Sequence, residues 1–481
     1  MIACRVHASP PGKERSRTRG APRSGFVQLC AAPDANRRAA VSTAILPGVA
    51  AGAPEPRIVR RIGVDFCVDR TLSKALLVGA LLSLGAAGLQ PADRGSNNDF
   101  ETAWQEVAST YAYFDVKATR WSDIPLLYRS DLARVRSRSD FIGLLERVLD
   151  ELYDPHAQLT VNTAASPRLV PSGADLWADW RGEQAVITDV RAASDAERAA
   201  IRPGSIVIEI NGVPIAEAVS RRLGRSYPHS VAAARDWALR AVLAGTHNTA
   251  RRLLLRHGKT DRHVELPARD QFSTAAATPV TVSRLESGVA HIKFNDSLGD
   301  RATVSAFDQA LLALRDAPGL LIDLRNTPSG GNTSVARGIL GRFVEREMPY
   351  QKHVLPSEEH ETGIRRSWLE LVSPRGAFIF QHPVAVLVGH WTGSMGEGLA
   401  IGFDGTGRGT VIGTPMAGLP GATYHITLPK TGIGLNVPAE RLYHVNGTPR
   451  EAFRPVVLVD VTQAGPDEDP VLAAALRTLA Q

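Results

Sequence analysis

A multi-domain α/β protein is what this sequence predicts, built from a small helical domain, a β-rich insert and a layered α/β core. Apolar residues recur at helical spacing between 97 and 153, with Leu144, Leu145, Val148, Leu149 and Leu152 on one stripe. Strand and hairpin signals crowd residues 184–215, and from about 280 onward strands and helices alternate along the chain. With 481 residues, of which 44% are hydrophobic, there is room for two or three domains with cores of their own. The expected boundaries are a leader over 1–92, a helical domain over 93–165, the insert over 166–268 and the core over 269–481.

The leader carries the charge imbalance of the chain. Residues 1–92 hold 13 basic and 5 acidic side chains, which leaves 42 and 44 in the rest, a net of −2. The body is slightly acidic, so the high pI of about 9.4 does not indicate a nucleic-acid partner. Arg70 and Lys74 precede "ALLVGALLSLGAAGL" at 75–89, a run too short for a membrane span and ending in small residues. It reads as a secretory signal cleaved between Gly88 and Ala92, with an uncleaved membrane anchor as the competing reading. Cys4, Cys30 and Cys67 all lie upstream of that point, so the exported chain has no thiol for catalysis, metal binding or disulfides.

In the helical domain, the cluster of Tyr111, Tyr113 and Phe114 reads as core. The helical pattern stops ahead of Pro155 in "YDPHAQLTVN", and an alternating strand follows. In the insert, "QAVITDV" is a strand and "SDAERAAI" a short helix. "RPGSIVIEINGVPI" is a turn and a buried strand ending in an Asn211-Gly212 hairpin signal. This stretch resembles the PDZ-type domain inserted in certain proteases, a module that captures peptides by adding them to a strand edge.

The core reads "GVAHIKFN", "GLLIDLRN", "PVAVLVGH" and "GTVIGTP" as buried strands, with "TVSAFDQALLALRDA", "TSVARGILGRFV" and "SMGEGLAIGF" as helices between them. A hairpin follows over "ATYHITLPKTGIGLNVP", turning at Pro429-Lys430-Thr431-Gly432. Parallel strands of this kind collect ligands beyond their carboxyl ends, and Ser394 in "GHWTGSMGEG" lies just past one. Ser394 followed by Glu397 is also a capping box, a sufficient structural reason for the pair.

Taken together, the helical "YAYFD…W" segment, Asp154–His156, the insert, "LLIDLRNTPSGG", "GSMGEG", "GRGTVIGTPMAG" and "VNGTPREAFRPVV" resemble, in family order, the serine peptidases that include the tail-specific C-terminal processing proteases and the tricorn core protease. The resemblance spans about 100 to 460. It implies a crotonase/ClpP-like layered core and a nucleophilic Ser394. In many bacterial members the base is a lysine after the glycine-bounded strand end, where this chain has Leu419. The only lysine after Ser394 is Lys430, in a hairpin turn.

The lysine-lacking, tricorn-like branch uses histidine, which matches His156, and a glutamate, which matches Glu451 with Glu440 as rival; Pro155 stands where the tricorn protease has a second serine. Imidazole titrates near neutral pH and suits the task of taking a serine proton. His390, four residues before the serine, is expected to shape the loop.

The Met395 amide and one of Gly330 and Gly331 are expected to bind the oxyanion. The reading is an exported serine peptidase acting on polypeptides engaged near a free C-terminus, without metal or organic cofactor. The alternatives are a catalytically inactive peptide-binding or scaffold member, and a hydrolase of non-peptide esters or amides.

Overall fold

The computed structural model describes residues 94–268, 278–462, 464–465 and 468–481; the leader with its signal and its three cysteines lies outside them. Among the described residues no helix is long and apolar enough to cross a membrane. The helical domain runs from Arg94–Thr110 to Arg138–Asp150, the second of these helices starting where the Ser137 hydroxyl accepts the Asp140 amide at 3.1 Å. Its stripe of Leu144, Leu145, Val148 and Leu149 packs on Phe100, Val107 and Tyr111, and also on Leu428, Ile433, Leu435 and Val437 of the late hairpin. The buried Asp99 carboxylate accepts the Lys430 and Thr431 amides at 3.0 and 2.6 Å, fixing the turn of that hairpin. Helical domain and core therefore share one apolar interior.

The core sheet has the order Val457–Leu458, Thr410–Gly413, Val384–Val388, Leu320–Asp323, Ala290–Phe294, Val280–Arg284, all parallel except the last. Val384–Val388 is apolar throughout because both faces of the sheet are covered, and its neighbour Leu320–Asp323 ends in a buried aspartate held by Arg325 at 2.8 Å. Leu320 and Ile322 point into a cluster with Phe307, Ile339, Phe343, Leu399 and Phe403, while Leu321 points the other way, toward Val471, Ala474 and Ala475 of Pro470–Leu479.

A second core sheet escaped the sequence reading in part. Gly434–Tyr443 pairs antiparallel with Gln158–Leu159, Ala422–Thr427 and Met348–Leu355, which in turn pairs with Arg366–Val372. The pairing of Gln158 with Asn436 anchors the segment that follows His156 to the core.

In the insert the strands Leu176–Arg181, Gln184–Val190, Ile206–Ile210, Arg251–His257 and Thr260–Leu266 form a sheet in the order written, so that Leu176–Arg181 is an edge. Asn211 and Gly212 have φ of +53° and +76°, the left-handed pair that a tight hairpin turn requires. Ala232–Ala244 packs on the edge strand, with Ala238 and Leu239 against Leu176 and Ala178.

The insert core also contains a fully buried ion pair. Asp175 and Arg251, at 0% and 2% side-chain exposure, meet through two hydrogen bonds of 2.7 Å. Removing one partner of such a pair strands a charge in low dielectric. Asp175→Ala is therefore expected to destabilise the insert by about 3–5 kcal/mol, read as a fall in Tm. Asp175→Leu combined with Arg251→Met should recover most of it; a double variant no more stable than the single one would contradict this reading.

Candidate active site

Ser394 sits where the Val384–Val388 strand turns into the Met395–Gly405 helix, with φ +51° and ψ −111°. That conformation is sparsely populated for a residue with a Cβ and costs of order 1–3 kcal/mol, so its surroundings must hold it. They do so by stitching the exits of two neighbouring strands together. Thr392 Oγ1 and Thr327 Oγ1 both donate to the Leu324 carbonyl, at 2.9 and 2.8 Å, while Thr327 N donates to Trp391 O and Gly393 N to Thr327 O. Glu397, fully buried on the first turn of the helix, accepts the Ser394 amide at 2.8 Å, the glutamate half of the expected capping box.

Glu397 has a wider role. Its carboxylate also accepts the Gly418 amide at 2.9 Å and the Leu419 amide at 3.2 Å. Burial pushes this carboxyl up to about 7, against Arg450 and the three amides, which favour the charged form. Arg450, also buried, donates to the carbonyls of Leu419 and Gly421 at 3.0 and 2.7 Å. The carbonyl between them, Pro420 O, lies 2.8 Å from His156 Nδ1. One short loop thus connects the helix start beneath the serine with the candidate histidine.

A carbonyl can only accept, so Nδ1 carries the proton in neutral His156 and Nε2 presents its lone pair. The Asp154 carboxylate accepts the His156 amide at 2.9 Å and the Tyr111 hydroxyl at 2.7 Å, which fixes the backbone beneath the ring. Burial lowers the His156 pKa below the ordinary imidazole value, and the Arg450 charge adds to this.

Of the two candidate glycines beside the serine, Gly330 has φ +67°, and a Cβ there would lie 2.4 Å from Ser394 Cβ and 3.1 Å from Met395 N. Its own amide is spent on Thr327 O at 3.2 Å. Gly331 follows it, pressed against Leu298, where a Cβ would meet the Leu298 carbonyl at 2.1 Å. Among the described hydrogen bonds the Gly331 and Met395 amides have no protein acceptor, which makes them the pair available to a developing negative charge.

The remaining sequence candidates fall as follows. Glu451, on the short helix Arg450–Ala452, is half-buried and makes no described hydrogen bond to His156; its buried Oε2 has no partner among the described residues, and desolvation raises its pKa. The place next to Nδ1 that the reading gave to Glu451 is taken by the Pro420 carbonyl. Glu440 is engaged elsewhere, accepting from the Tyr424 hydroxyl at 2.7 Å and sharing a proton with His353 Nδ1 at 2.6 Å. Leu419 projects toward Gly393, whose Cβ would lie 3.2 Å from its methyl, within a cluster of Trp177, Trp391 and Ala417. Lys430 is exposed on its turn.

His390 stacks on Trp177 at 4.6 Å and 6°, and burial drives its pKa down to about 3, so it stays neutral and shapes the loop. Arg450 and the second role of Glu397 went unread, because bonds to distant backbone groups leave no mark on local spacing. Lys117 went unread too: it donates to Tyr153 O at 3.3 Å, and burial lowers its pKa against the pull of Asp154 and Glu451.

A cleft of about 620 Å³ opens beside the histidine segment, lined among others by Asp154, Pro155 and Ala157 on one side, Asp296 and Ser329 on another, and Leu169, Gly173, Trp237 and Ala241 of the insert. It passes both the histidine segment and the residue before Gly330. Among the described residues no cluster of three or more histidine, cysteine or carboxylate side chains is placed to hold a metal ion.

Comparison with known proteins bears on this arrangement. Residues 288–456 match the profile of "Peptidase family S41" and residues 96–150 that of the "Tricorn protease C1 domain". No curated protein matches in sequence. The fold is similar to that of the photosystem II D1 C-terminal processing protease, at 19% identity, TM-score 0.50, over 81% of this chain and 98% of that one. It is likewise similar to mature CPAF complexed with lactacystin, at 15% identity, TM-score 0.53, over 80% of this chain and 97% of that one.

Because a side chain at 330 collides with the serine itself, Gly330→Ala is expected to displace Ser394 and remove hydrolytic activity. The backbone strain at positive φ should add about 1 kcal/mol of destabilisation. Retention of more than about a tenth of the activity, a loss of under 1.4 kcal/mol in the transition state, would show that the serine is not held by this contact.

Proposed function

We propose that this chain, a member of peptidase family S41, hydrolyses peptide bonds in polypeptides through an acyl-enzyme on Ser394. The observation that carries the proposal is the strained serine at a helix N-terminus with the Met395 amide beside it and Gly330 packed against its Cβ. Ser394 Oγ attacks the carbonyl carbon and gives its proton to His156 Nε2. The carbonyl oxygen, now negative, takes hydrogen bonds from the Met395 and Gly331 amides. Collapse breaks the C–N bond, the leaving amine takes the proton from His156, and a water molecule deprotonated by the same nitrogen then releases the acyl group.

In this scheme the Pro420 carbonyl sets the tautomer of the base. Asp154 and the half-buried Glu451 supply negative charge in its surroundings, Glu451 being the carboxylate of the Ser-His-Glu set without holding the ring directly. The scheme includes export through the 75–89 leader, to a periplasmic or equivalent compartment. The competing reading, a binding member without catalysis, draws on Leu419 filling the lysine's place with a methyl group.

A fluorophosphonate probe separates the two. Labelling of the native chain, lost in Ser394→Ala and strongly reduced in His156→Ala with Tm preserved, is expected. An unlabelled native chain that also fails to cleave an unfolded protein such as casein would leave the binding reading standing.

The pH profile tests the histidine. A base must be neutral to accept the proton, so activity falls as pH drops through its pKa. Burial lowers that pKa, so the acid limb of kcat/KM should lie below the ordinary imidazole value of about 6.5. A limb at or above neutrality would assign the proton to another group.

A further inference from the structure

The resemblance to tail-specific proteases implies that the insert captures a free C-terminus by adding it to a strand edge. The structure of that edge carries a different reading. Strand addition needs outward N–H and C=O groups on an open edge and, for a terminal carboxylate, uncommitted amides or a cation at the start of the strand. Leu176–Arg181 is the edge strand next to the helix Ala232–Ala244, where a peptide would lie.

There Arg240 reaches across from the helix. Its Nε donates to the Ala178 carbonyl at 3.3 Å, its terminal nitrogen pairs with the Asp179 carboxylate, and its guanidinium lies 4.5 Å from the centre of the Trp177 ring. Ala178 packs on the helix side of the strand, whereas Asp179 and Trp177 alternate to the opposite face. The one side chain therefore straps the free edge from face to face. Two residues on, Trp180 Nε1 donates to the Arg235 carbonyl at 3.2 Å, closing the space between strand and helix a second time.

The start of the strand is equally committed. Gly173 N donates to Leu169 O at 2.7 Å, Ala174 N to Pro171 O at 3.1 Å, and the Ala174 carbonyl accepts Trp391 Nε1 at 2.9 Å. Of the guanidinium groups here, Arg191 donates to the Ser172 carbonyl at 2.8 Å and to Asn326 Oδ1 at 3.0 Å, and Arg251 meets the chain's own Asp175 carboxylate through two hydrogen bonds of 2.7 Å. Trp177 itself faces away, stacked on His390 against the loop that bears the serine.

We infer that the insert is a closed wall of the active-site cleft and does not capture C-termini, so that the peptidase selects internal segments of unfolded polypeptide, whether or not the terminus is free. This rests on the peptidase reading for its consequence, but its physical content, an edge closed by Arg240, can be measured without turnover.

The probes are two fluorescein-labelled random decapeptide pools, one ending in a free carboxylate and the other in an amide. Their anisotropy is followed with the full chain carrying Ser394→Ala, alone and together with Arg240→Met, which keeps the stem over Trp177 and removes the strap. The expected result is equal binding of the two pools by the Ser394→Ala chain. Once the strap is removed, both pools should bind about tenfold more tightly and still alike, because the strand edge opens while the amides at its start stay committed.

A preference already present with Arg240 in place overturns the inference, and so does unchanged binding of both pools after its removal from a chain whose Tm is preserved. With the active chain, a cleaved casein peptide and its amidated form should have kcat/KM values within about twofold, a difference of under 0.5 kcal/mol. Failure to cleave either counts against the peptidase reading, and the anisotropy still decides this one.

Discussion

The site depends on one buried carboxylate. Glu397 accepts amides from both sides of the gap between the serine and the histidine, Ser394 on its own helix and Gly418 with Leu419 on the facing loop. Without it the helix N-terminus and the loop would present three N–H groups to an apolar interior, at about 1–3 kcal/mol for each one left unmade. With it, the loop can be held from its other edge as well, by Arg450 on the flanking carbonyls and by His156 on the one between. The order of dependence runs from Glu397 to the loop and from the loop to the His156 imidazole.

This arrangement explains how a chain without the lysine can keep the same site. The loop position that bears lysine in many relatives bears Leu419 here, and its side chain joins Trp177, Trp391 and Ala417 in an apolar packing against Gly393. The backbone of the same residue does the positioning, with its amide to Glu397 and its carbonyl to Arg450.

Much of this was legible in the sequence, and the pattern of what was not has a physical cause. Buried parallel strands such as Val384–Val388 announce themselves as apolar runs, the Asn211-Gly212 turn by its need for two positive φ values, and the Ser394–Glu397 pair by its spacing. Met348–Leu355 and Arg366–Val372 escaped because they mix faces: Gln351 and His353 are buried in a polar network with Glu440, while Leu369 and Leu371 are exposed, so neither strand shows a clean alternation. The orienting partner of His156 escaped for a different reason. A carbonyl belongs to every residue, so no side-chain pattern could single out Pro420, and the search among carboxylates pointed to Glu451 and Glu440 instead.

The choice of a carbonyl over a carboxylate beside Nδ1 has a chemical consequence. A carboxylate raises the basicity of the ring and stabilises the imidazolium; a carbonyl fixes the tautomer but offers only a dipole to the cation. Burial and Arg450 both act against protonation and lower the His156 pKa below the ordinary imidazole value. Negative charge that offsets an imidazolium comes from outside direct contact: the buried Asp154 is bound to the His156 amide, and the half-buried Glu451 has an Oε2 with no partner among the described residues. Burial raises the Glu451 pKa, so its charge is held less firmly than that of an exposed carboxylate. In the proposed mechanism such a histidine is a weak base whose charge compensation is set back one layer, which favours return of the proton to a leaving amine over its retention on the ring.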